Sequence, residues 1–172
     1  ARKVGFDCIN MDLIAGLPLD SLGGFRRSLD GVLAMGPENI TVHTLALKKG
    51  SRLMEQGGAL PSGEETAQML DYSLECLSGK GYLPYYLYRQ KYMSGSLENV
   101  GWCLSGQESV YNIVMMEELQ TILSLGAGGV SKRVVRETGW IERANNPKYP
   151  LEYIQAADRL ANGKKKLLFP QK

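Results

Sequence analysis

The chain has 172 residues, a length that suits one domain or one large piece of a domain. Hydrophobic residues make up 44% of it and charged residues 22%, so the chain can bury a core and global disorder is excluded. The net charge of +2 is too small to indicate a nucleic-acid-binding protein, and no apolar run is long enough to cross a bilayer. The segment Ala1–Gly5 has a basic pair with no apolar stretch after it, so we expect no export signal.

The first half of the chain predicts strands and helices in alternation. Arg2 and Lys3 before Gly5 are typical of the last turn of a helix, so we expect the chain to open on the end of a longer one. Beyond them, runs rich in β-branched residues separate segments with helical spacing. We predict strands at 9–14, 39–47 and 82–88 and helices at 21–35 and 62–78. This order is typical of parallel βαβ units with right-handed crossovers, in an open sheet or a barrel.

The second half of the chain is less regular, and we place a domain boundary between 92 and 93. Residues 93–106 have no clear period, and the apolar run 110–125 fits either a strand or a helix. We then predict a Gly-rich turn at 126–129, short strands at 133–138 and 139–144, and a helix at 150–160. The basic residues at 163–166 are interpreted as a solvated tail rather than a binding patch.

The cysteines and the single histidine limit the metal sites that the chain can build. Cys8, Cys76 and Cys103 are odd in number and far apart, which favours free thiols in a reducing cytoplasm over a disulfide framework or a metal nest. His43 is the only histidine, which excludes a histidine-rich metal site. We therefore predict no metal ligands within this sequence and a cytoplasmic location.

Asp12 is the most informative residue of the first predicted strand. An acidic side chain within an apolar strand requires a partner, and aspartate is a poor strand former. The turn at Gly16–Pro18 follows at the carboxyl end of the strand, where parallel α/β folds place their sites. Two interpretations remain open: Asp12 accepts hydrogen bonds from a pair of ligand hydroxyls such as those of a ribose, or it forms an internal salt bridge or loop anchor.

Two further segments are candidates for ligand contact. In 85–92, tyrosines alternate with Arg89 and Lys91, a combination that suits a flat anionic ligand but also suits half-buried tyrosines beside solvated cations. In 125–132, backbone N–H groups of a Gly-rich turn are available, but the glycine spacing does not match a dinucleotide fingerprint. We interpret the second segment as a turn packed closely against a ligand rather than as a phosphate loop.

Several motifs in this order resemble one family. The segment 9–18, Ile-Asn-Met-Asp-Leu-Ile-Ala-Gly-Leu-Pro, resembles a strand and turn of the oxygen-independent coproporphyrinogen III oxidase family of radical S-adenosylmethionine enzymes. The following strand, 40–47, is similar to the next strand of that family. The segments 86–91, 97–101, 125–128 and 131–132 look most like its coproporphyrinogen dehydrogenase branch in bacilli and clostridia. The resemblance extends from about Arg2 to about Tyr153.

The resemblance implies an α/β fold, the C-terminal part of a partial (β/α)6 barrel with an appended small α+β region. In this division, residues 1–92 supply the later βα units and residues 93–172 a substrate-side region and tail. Members of the family decarboxylate coproporphyrinogen III propionates to vinyl groups with a 5′-deoxyadenosyl radical. Their cofactors are S-adenosylmethionine and a 4Fe–4S cluster held by a Cys-x-x-x-Cys-x-x-Cys loop. That loop is absent from this sequence, so we expect the cluster ligands outside it and the fragment alone to be inactive.

The resemblance also implies roles for individual residues. Asp12, Ile14 and Ala46 match positions that bind S-adenosylmethionine, with Ala46 as the small residue near the adenine. Lys132 falls near a further position that lines the cofactor space. The predicted substrate-binding residues are Arg89 and Lys91, and no catalytic residue is assigned.

A second function remains open, because related members of the superfamily are haem-binding chaperones. The expected partners are the tetrapyrrole and the N-terminal half of the same protein, with neither nucleic acid nor membrane. Without earlier strands, the edge strand that contains Asp12 would expose unpaired backbone groups, so we expect marginal stability or self-association of the fragment.

Overall fold

The computed structural model describes residues 1–47, 52–53, 59–88 and 97–169. The chain divides into two compact units, Ala1–Asn112 and Ile113–Lys172. This division lies further along the chain than the boundary predicted between 92 and 93, because a strand beyond that boundary completes the sheet of the first unit.

The first unit is built on a four-stranded mixed sheet. Its strands are β1 (Asn10–Ala15), β2 (Asn39–Thr44), β3 (Leu83–Tyr88) and β4 (Asn99–Cys103), in the spatial order β1-β2-β4-β3. β1 and β2 pair in parallel, while β4 is antiparallel to both β2 and β3. The three predicted strands therefore run in one direction, as expected. β4 was not predicted, because its five residues are too few to show a period.

Two helices cover one side of this sheet. α1 (Leu22–Met35) and α2 (Gly63–Gly79) follow β1 and β2 along the chain, as predicted. The side chains of Ser21 and Ser62 accept hydrogen bonds from the backbone amides of Gly24 and Glu65, which caps the two helix N-termini. At the start of the chain, Arg2–Val4 forms one turn of 3-10 helix that ends at Gly5, whose φ of 87° is left-handed.

Strand alternation separates the sheet into two chemically different faces. Because successive side chains point to opposite sides, one face carries Met11, Leu13, Ile40, Val42 and Trp102, which pack with Phe25 and Leu29 of α1 and with Met69 and Leu77 of α2 to form the core. We call the other side the polar face. It is formed by Asn10, Asp12, Ile14, Asn39, Thr41, His43, Tyr86, Tyr88 and Asn99.

The apolar run at 110–125 begins as a helix, α3 (Val110–Met116). In sequence, the first unit ends within this helix. The second unit contains the antiparallel pair β5 (Val130–Val135) and β6 (Trp140–Asn145), which confirms two short strands within a few residues of their predicted bounds. Two helices follow, α4 (Pro150–Gln155) and α5 (Ala157–Leu168).

The predicted solvated tail at 163–166 is wrong. These residues lie within α5, and the side chain of Lys164 is buried, with its Nζ donating a hydrogen bond of 2.6 Å to the carbonyl oxygen of Ser124. Three consecutive lysines suggested a charged tail, but successive residues of a helix point in different directions, so one of the three faces inward. Within the part of the chain that the structure describes, no helix has both the length and the apolar character that a membrane crossing requires.

Candidate functional site

A cavity of about 400 Å³ opens on the polar face. Its lining comes from the ends of several strands: Asp12, Ile14, His43, Thr44, Leu45, Ala46, Tyr88 and Asn99. Because β1, β2 and β3 share one direction, their carboxyl ends meet at one edge of the sheet. β4 runs the opposite way, so Asn99 at its start reaches the same edge. The volume is within the range of small-molecule sites.

Asp12 lies at the mouth of this cavity with its side chain 57% exposed. Its Oδ1 accepts a hydrogen bond of 2.6 Å from Nδ2 of Asn10, and its Oδ2 lies 3.4 Å from Nε2 of His43. Each interpretation of Asp12 thus has a structural basis. The internal partners match a salt bridge or loop anchor, and the exposed carboxylate matches an acceptor for a ligand. A carboxylate has about four acceptor positions, so two protein contacts leave others for a ligand.

His43 is a site residue that the sequence reasoning missed. Its ring contacts two polar groups, since Nδ1 lies 3.1 Å from the hydroxyl of Tyr88 while Nε2 faces Asp12. The histidine had been considered only as a possible metal ligand. The pattern that could have indicated it is the alternation of side chains along β2. His43 lies on the same face as Thr41, and Thr41 pairs with Asp12 in the strand register.

Tyr86 lies next to this group on the polar face. Its hydroxyl is 3.1 Å from Oγ1 of Thr41, and Thr41 donates a hydrogen bond of 3.2 Å to Oδ1 of Asn10. The ring of Tyr86 lies directly over Gly101, where a Cβ atom would overlap it. Burial raises the pKa of the Tyr86 hydroxyl.

The neighbouring tyrosines are also held in place. The rings of Tyr86 and Tyr88 are stacked, with centroids 6.4 Å apart and planes inclined by 9°. The hydroxyl of Tyr85 accepts a hydrogen bond of 2.8 Å from Nδ2 of Asn112, and burial raises its pKa. The tyrosines of β3 are half-buried, as one of the two interpretations expected. Arg89 and Lys91, the predicted substrate-binding residues, lie outside the described residues.

Lys132, the fourth predicted cofactor-binding residue, lies on β5 in the second unit. Its Nζ is 2.8 Å from Oε1 of Glu118, and an Arg143 nitrogen is 2.7 Å from the same oxygen. The hydrogen bond from Lys132, followed by that from Arg143, holds the pKa of Glu118 below its usual value. Within the second unit, the ammonium group of Lys132 is thus already ion-paired.

The Gly-rich turn before β5 is closed by contacts within the protein. The carbonyl oxygen of Gly126 accepts a hydrogen bond of 2.7 Å from Nδ2 of Asn146, and the amide of Gly128 donates one of 2.7 Å to the carbonyl oxygen of Pro147. These contacts tie the turn to the residues that follow β6.

The residues of this chain do not fit an iron–sulfur cluster. Across the described residues, no three His, Cys, Asp or Glu side chains are placed to hold a metal ion. Cys8 is exposed, whereas Cys103 is buried and burial raises its pKa to about 11, which disfavours the thiolate that iron requires. The cavity lining includes Asp12, whose carboxylate offers acceptor oxygens, and Ala46, whose side chain is small.

Several known proteins are similar to this chain. No family model matches the chain. It is 44% identical over 170 residues to the oxygen-independent coproporphyrinogen-III oxidase-like protein HemZ of Bacillus subtilis, covering 98% of this chain and 34% of that protein. It is 34% identical over 86 residues to the oxygen-independent coproporphyrinogen III oxidase of Synechocystis, covering 48% of this chain and 18% of that protein. The heme chaperone HemW of Bacillus subtilis is 26% identical over 132 residues, 74% of this chain and 31% of that protein.

A solved structure shows a similar fold. The coproporphyrinogen III oxidase HemN of Escherichia coli, described as a radical SAM enzyme, matches with a TM-score of 0.62 at 18% identity, over 92% of this chain and 36% of that one. The chain thus spans about a third, or less, of the length of the relatives that it matches.

Proposed function

Since the chain belongs to the oxygen-independent coproporphyrinogen III oxidase family of radical S-adenosylmethionine enzymes, we propose that it forms the part of such an enzyme that binds the adenosyl group of S-adenosylmethionine. The whole enzyme would oxidatively decarboxylate coproporphyrinogen III propionates to vinyl groups. When bound, S-adenosylmethionine supplies the radical that removes hydrogen from the substrate. The cluster ligands would come from another part of the protein, because this chain has no suitable cysteines.

The observation that supports the proposal is the meeting of Asp12, Ile14 and Ala46 in one cavity. Asp12 and Ile14 belong to the motif on β1, and Ala46 belongs to the motif of the following strand. The parallel pairing of β1 with β2 brings the three residues to one edge of the sheet. Asp12 would accept hydrogen bonds from the ribose hydroxyls, and Ile14 would pack against the adenosyl group. Ala46 would leave space for the adenine, since a larger side chain would occupy the same volume.

We further propose that the mixed sheet is one side of a partial (β/α)6 barrel in the longer protein. β1 pairs only with β2 among the described strands, so its other edge is available for an earlier strand. Arg89 and Lys91 follow directly on β3, whose last residue, Tyr88, lines the cavity. They would bind a substrate propionate, because a guanidinium group matches a carboxylate.

A haem chaperone is the second candidate, favoured by the similarity to the heme chaperones of Bacillus subtilis and Lactococcus lactis, each 26% identical. The higher identity of 44% to the oxidase-like protein favours the first candidate. Haem titration of the full-length protein, together with product analysis on coproporphyrinogen III, separates the two. Vinyl products support the oxidase, whereas stable haem binding without product supports the chaperone.

The adenosyl site can be tested on this chain by replacing Asp12. Asp12→Asn keeps the shape of the side chain but loses the charged acceptor, so the affinity for S-adenosylmethionine should fall about ten- to hundredfold, the size of a charge-assisted hydrogen bond. Two-dimensional NMR titration measures this affinity even when binding is weak. Asp7→Asn, at an exposed aspartate outside the cavity lining, should bind like the original chain. Equal affinity in folded Asp12→Asn, or no binding by the original chain, would contradict the proposal.

A further inference from the structure

Two chains of hydrogen-bonding groups end on the carboxylate of Asp12, one on each oxygen. In the first, Tyr86 contacts Thr41 at 3.1 Å, Thr41 donates to Asn10 at 3.2 Å, and Asn10 donates to Oδ1 of Asp12 at 2.6 Å. Because the hydrogen of Thr41 is directed to Asn10, the hydroxyl of Tyr86 must be the donor to Thr41. Every step of this chain therefore donates towards Asp12.

The second chain runs through His43. Nε2 of His43 lies 3.4 Å from Oδ2 of Asp12, and because an ionised carboxylate only accepts hydrogen bonds, this contact favours a hydrogen on Nε2. In a neutral imidazole the other nitrogen is then an acceptor. The hydroxyl of Tyr88, 3.1 Å from Nδ1, therefore donates to it. The form of His43 protonated at Nε2 therefore satisfies both the contact with Asp12 and the contact with Tyr88.

We propose that His43 is a positioning residue for Asp12, with Tyr88 fixing the His43 tautomer that donates to the carboxylate. Contacts on both oxygens prevent rotation of the carboxylate and leave its remaining acceptor positions for a vicinal diol. The identity of that diol as the ribose of S-adenosylmethionine rests on the proposed function. The contacts of His43 with Asp12 and with Tyr88 do not depend on that identity.

This arrangement is suited to ligand binding rather than to stability. The side chains of Asp12 and His43 are 57% and 25% exposed, and a solvent-exposed ion pair contributes little to the free energy of folding. The pair nevertheless lies at the cavity, where a preoriented carboxylate reduces the ordering required on binding.

The tautomer can be read directly because His43 is the only histidine in the chain. With histidine labelled in its ring nitrogens and no histidine tag, the NMR spectrum contains a single imidazole. For the neutral imidazole we expect the form protonated at Nε2. Tyr88→Phe removes the donor to Nδ1 and should give a mixture of tautomers. Tyr85→Phe should leave the signals unchanged, because the hydroxyl of Tyr85 bonds Asn112 instead.

A predominant form protonated at Nδ1 in the original chain would overturn the proposal. So would identical imidazole signals in the original chain and in Tyr88→Phe.

Ligand binding supplies a second test. His43→Phe keeps a planar ring without a donor and should weaken S-adenosylmethionine binding about three- to tenfold, the size of one hydrogen bond. His43→Gln retains an N–H donor and should recover most of the affinity. If Asp12→Asn weakens binding but His43→Phe does not, the positioning role is wrong while the adenosyl site remains. If Asp12→Asn has no effect, the adenosyl site itself is wrong, and the tautomer measurement still decides the contact between His43 and Tyr88.

Discussion

The two units of the chain bury different kinds of side chain. Among the described residues, the buried hydrophobic side chains all belong to the first unit, from Ala15 on β1 to Cys103 on β4. In the described part of the second unit, the buried residues are Ser131, Asn146 and Lys164, all of them polar. Hydrophobic burial is the main favourable contribution to folding. The first unit therefore has its own core, whereas the second is held mainly by polar contacts.

Those polar contacts are specific. The buried hydroxyl of Ser131 accepts a hydrogen bond of 3.1 Å from the amide of Ser124, and Nζ of Lys164 binds the carbonyl oxygen of the same serine. Large apolar side chains, by contrast, are exposed, including Trp140 at 66%. Since a hydrogen bond contributes only about 0.5–1.5 kcal/mol net, we expect the second unit to be the less stable of the two.

The largest predicted difference between the units follows from removing an apolar side chain in each. Ile40→Ala leaves a cavity in the core of the first unit and should reduce its free energy of unfolding by about 2–5 kcal/mol. Leu123→Ala removes a side chain that is 52% exposed in the second unit and should cost less than about 1 kcal/mol. Hydrogen exchange of amides in β2 and in β5 measures the stability of each unit separately. Equal losses in the two variants would show that the second unit also depends on an apolar core.

We expect a smaller loss of stability when a residue on the tightly packed polar face of the first unit is replaced. Gly101→Ala places a methyl group where the ring of Tyr86 lies, and the ring is held by Thr41 and stacked on Tyr88. The resulting strain should cost about 1–3 kcal/mol. Urea unfolding followed by the fluorescence of Trp102, in a variant with Trp140 replaced by Phe, measures this loss.

Gly31→Ala is the matched control for Gly101→Ala. Gly31 lies on the exposed side of α1, where no atom would contact a new methyl group, so alanine should stabilise the helix by up to about 1 kcal/mol. Equal effects at Gly31 and Gly101 would mean that Tyr86 moves aside without strain.

The smallest effect concerns the ion pairs of the second unit. Glu118→Gln removes the partner of Lys132 and Arg143 and should cost up to about 1 kcal/mol at neutral pH. Because the folded-state pKa of Glu118 is lowered from 4.5, its contribution is present above about pH 4.5 and is lost as the pH falls through the lower folded value. Hydrogen exchange in β5 at several pH values should show this loss in the original chain but not in Glu118→Gln.

Glu142→Gln serves as the comparison for Glu118→Gln. Glu142 contacts only Arg133 among the ion pairs described, at 3.3 Å, and its side chain is 44% exposed. We expect almost no change in stability or in its pH dependence. A larger effect at Glu142 than at Glu118 would contradict the assignment of Glu118 as the centre of the cluster.

Local patterns in the sequence were sufficient to predict β1, β2, β3, α1 and α2 of the first unit. The serines before α1 and α2 cap those helices because their side chains reach amides only three residues away. The β-branched run of β2 forms a strand for an equally local reason. These predictions were correct because each sequence pattern, and the contact that it predicts, lies within one turn or one strand.

Contacts between distant segments could not be predicted in the same way. Nothing near 99–103 indicates a strand, yet β4 pairs with both β2 and β3. The consecutive lysines of α5 do not reveal that Lys164 would reach Ser124, which is distant in sequence. In both cases the stabilising partner lies elsewhere in the chain, where a local pattern carries no information about it.

The sequence by itself determined the alternation of strands and helices up to Tyr88 and, through its family motifs, indicated Asp12, Ile14 and Ala46 as candidates. Only the tertiary structure decided which groups surround Asp12, because the pairing of β1 with β2, and of β4 with β2 and β3, places His43 and Tyr88 beside it. Strand register is set by the pairing of all the strands in the sheet. The candidate site therefore depends on the packing of strands from separate parts of the chain, whereas each strand depends mainly on its own residues.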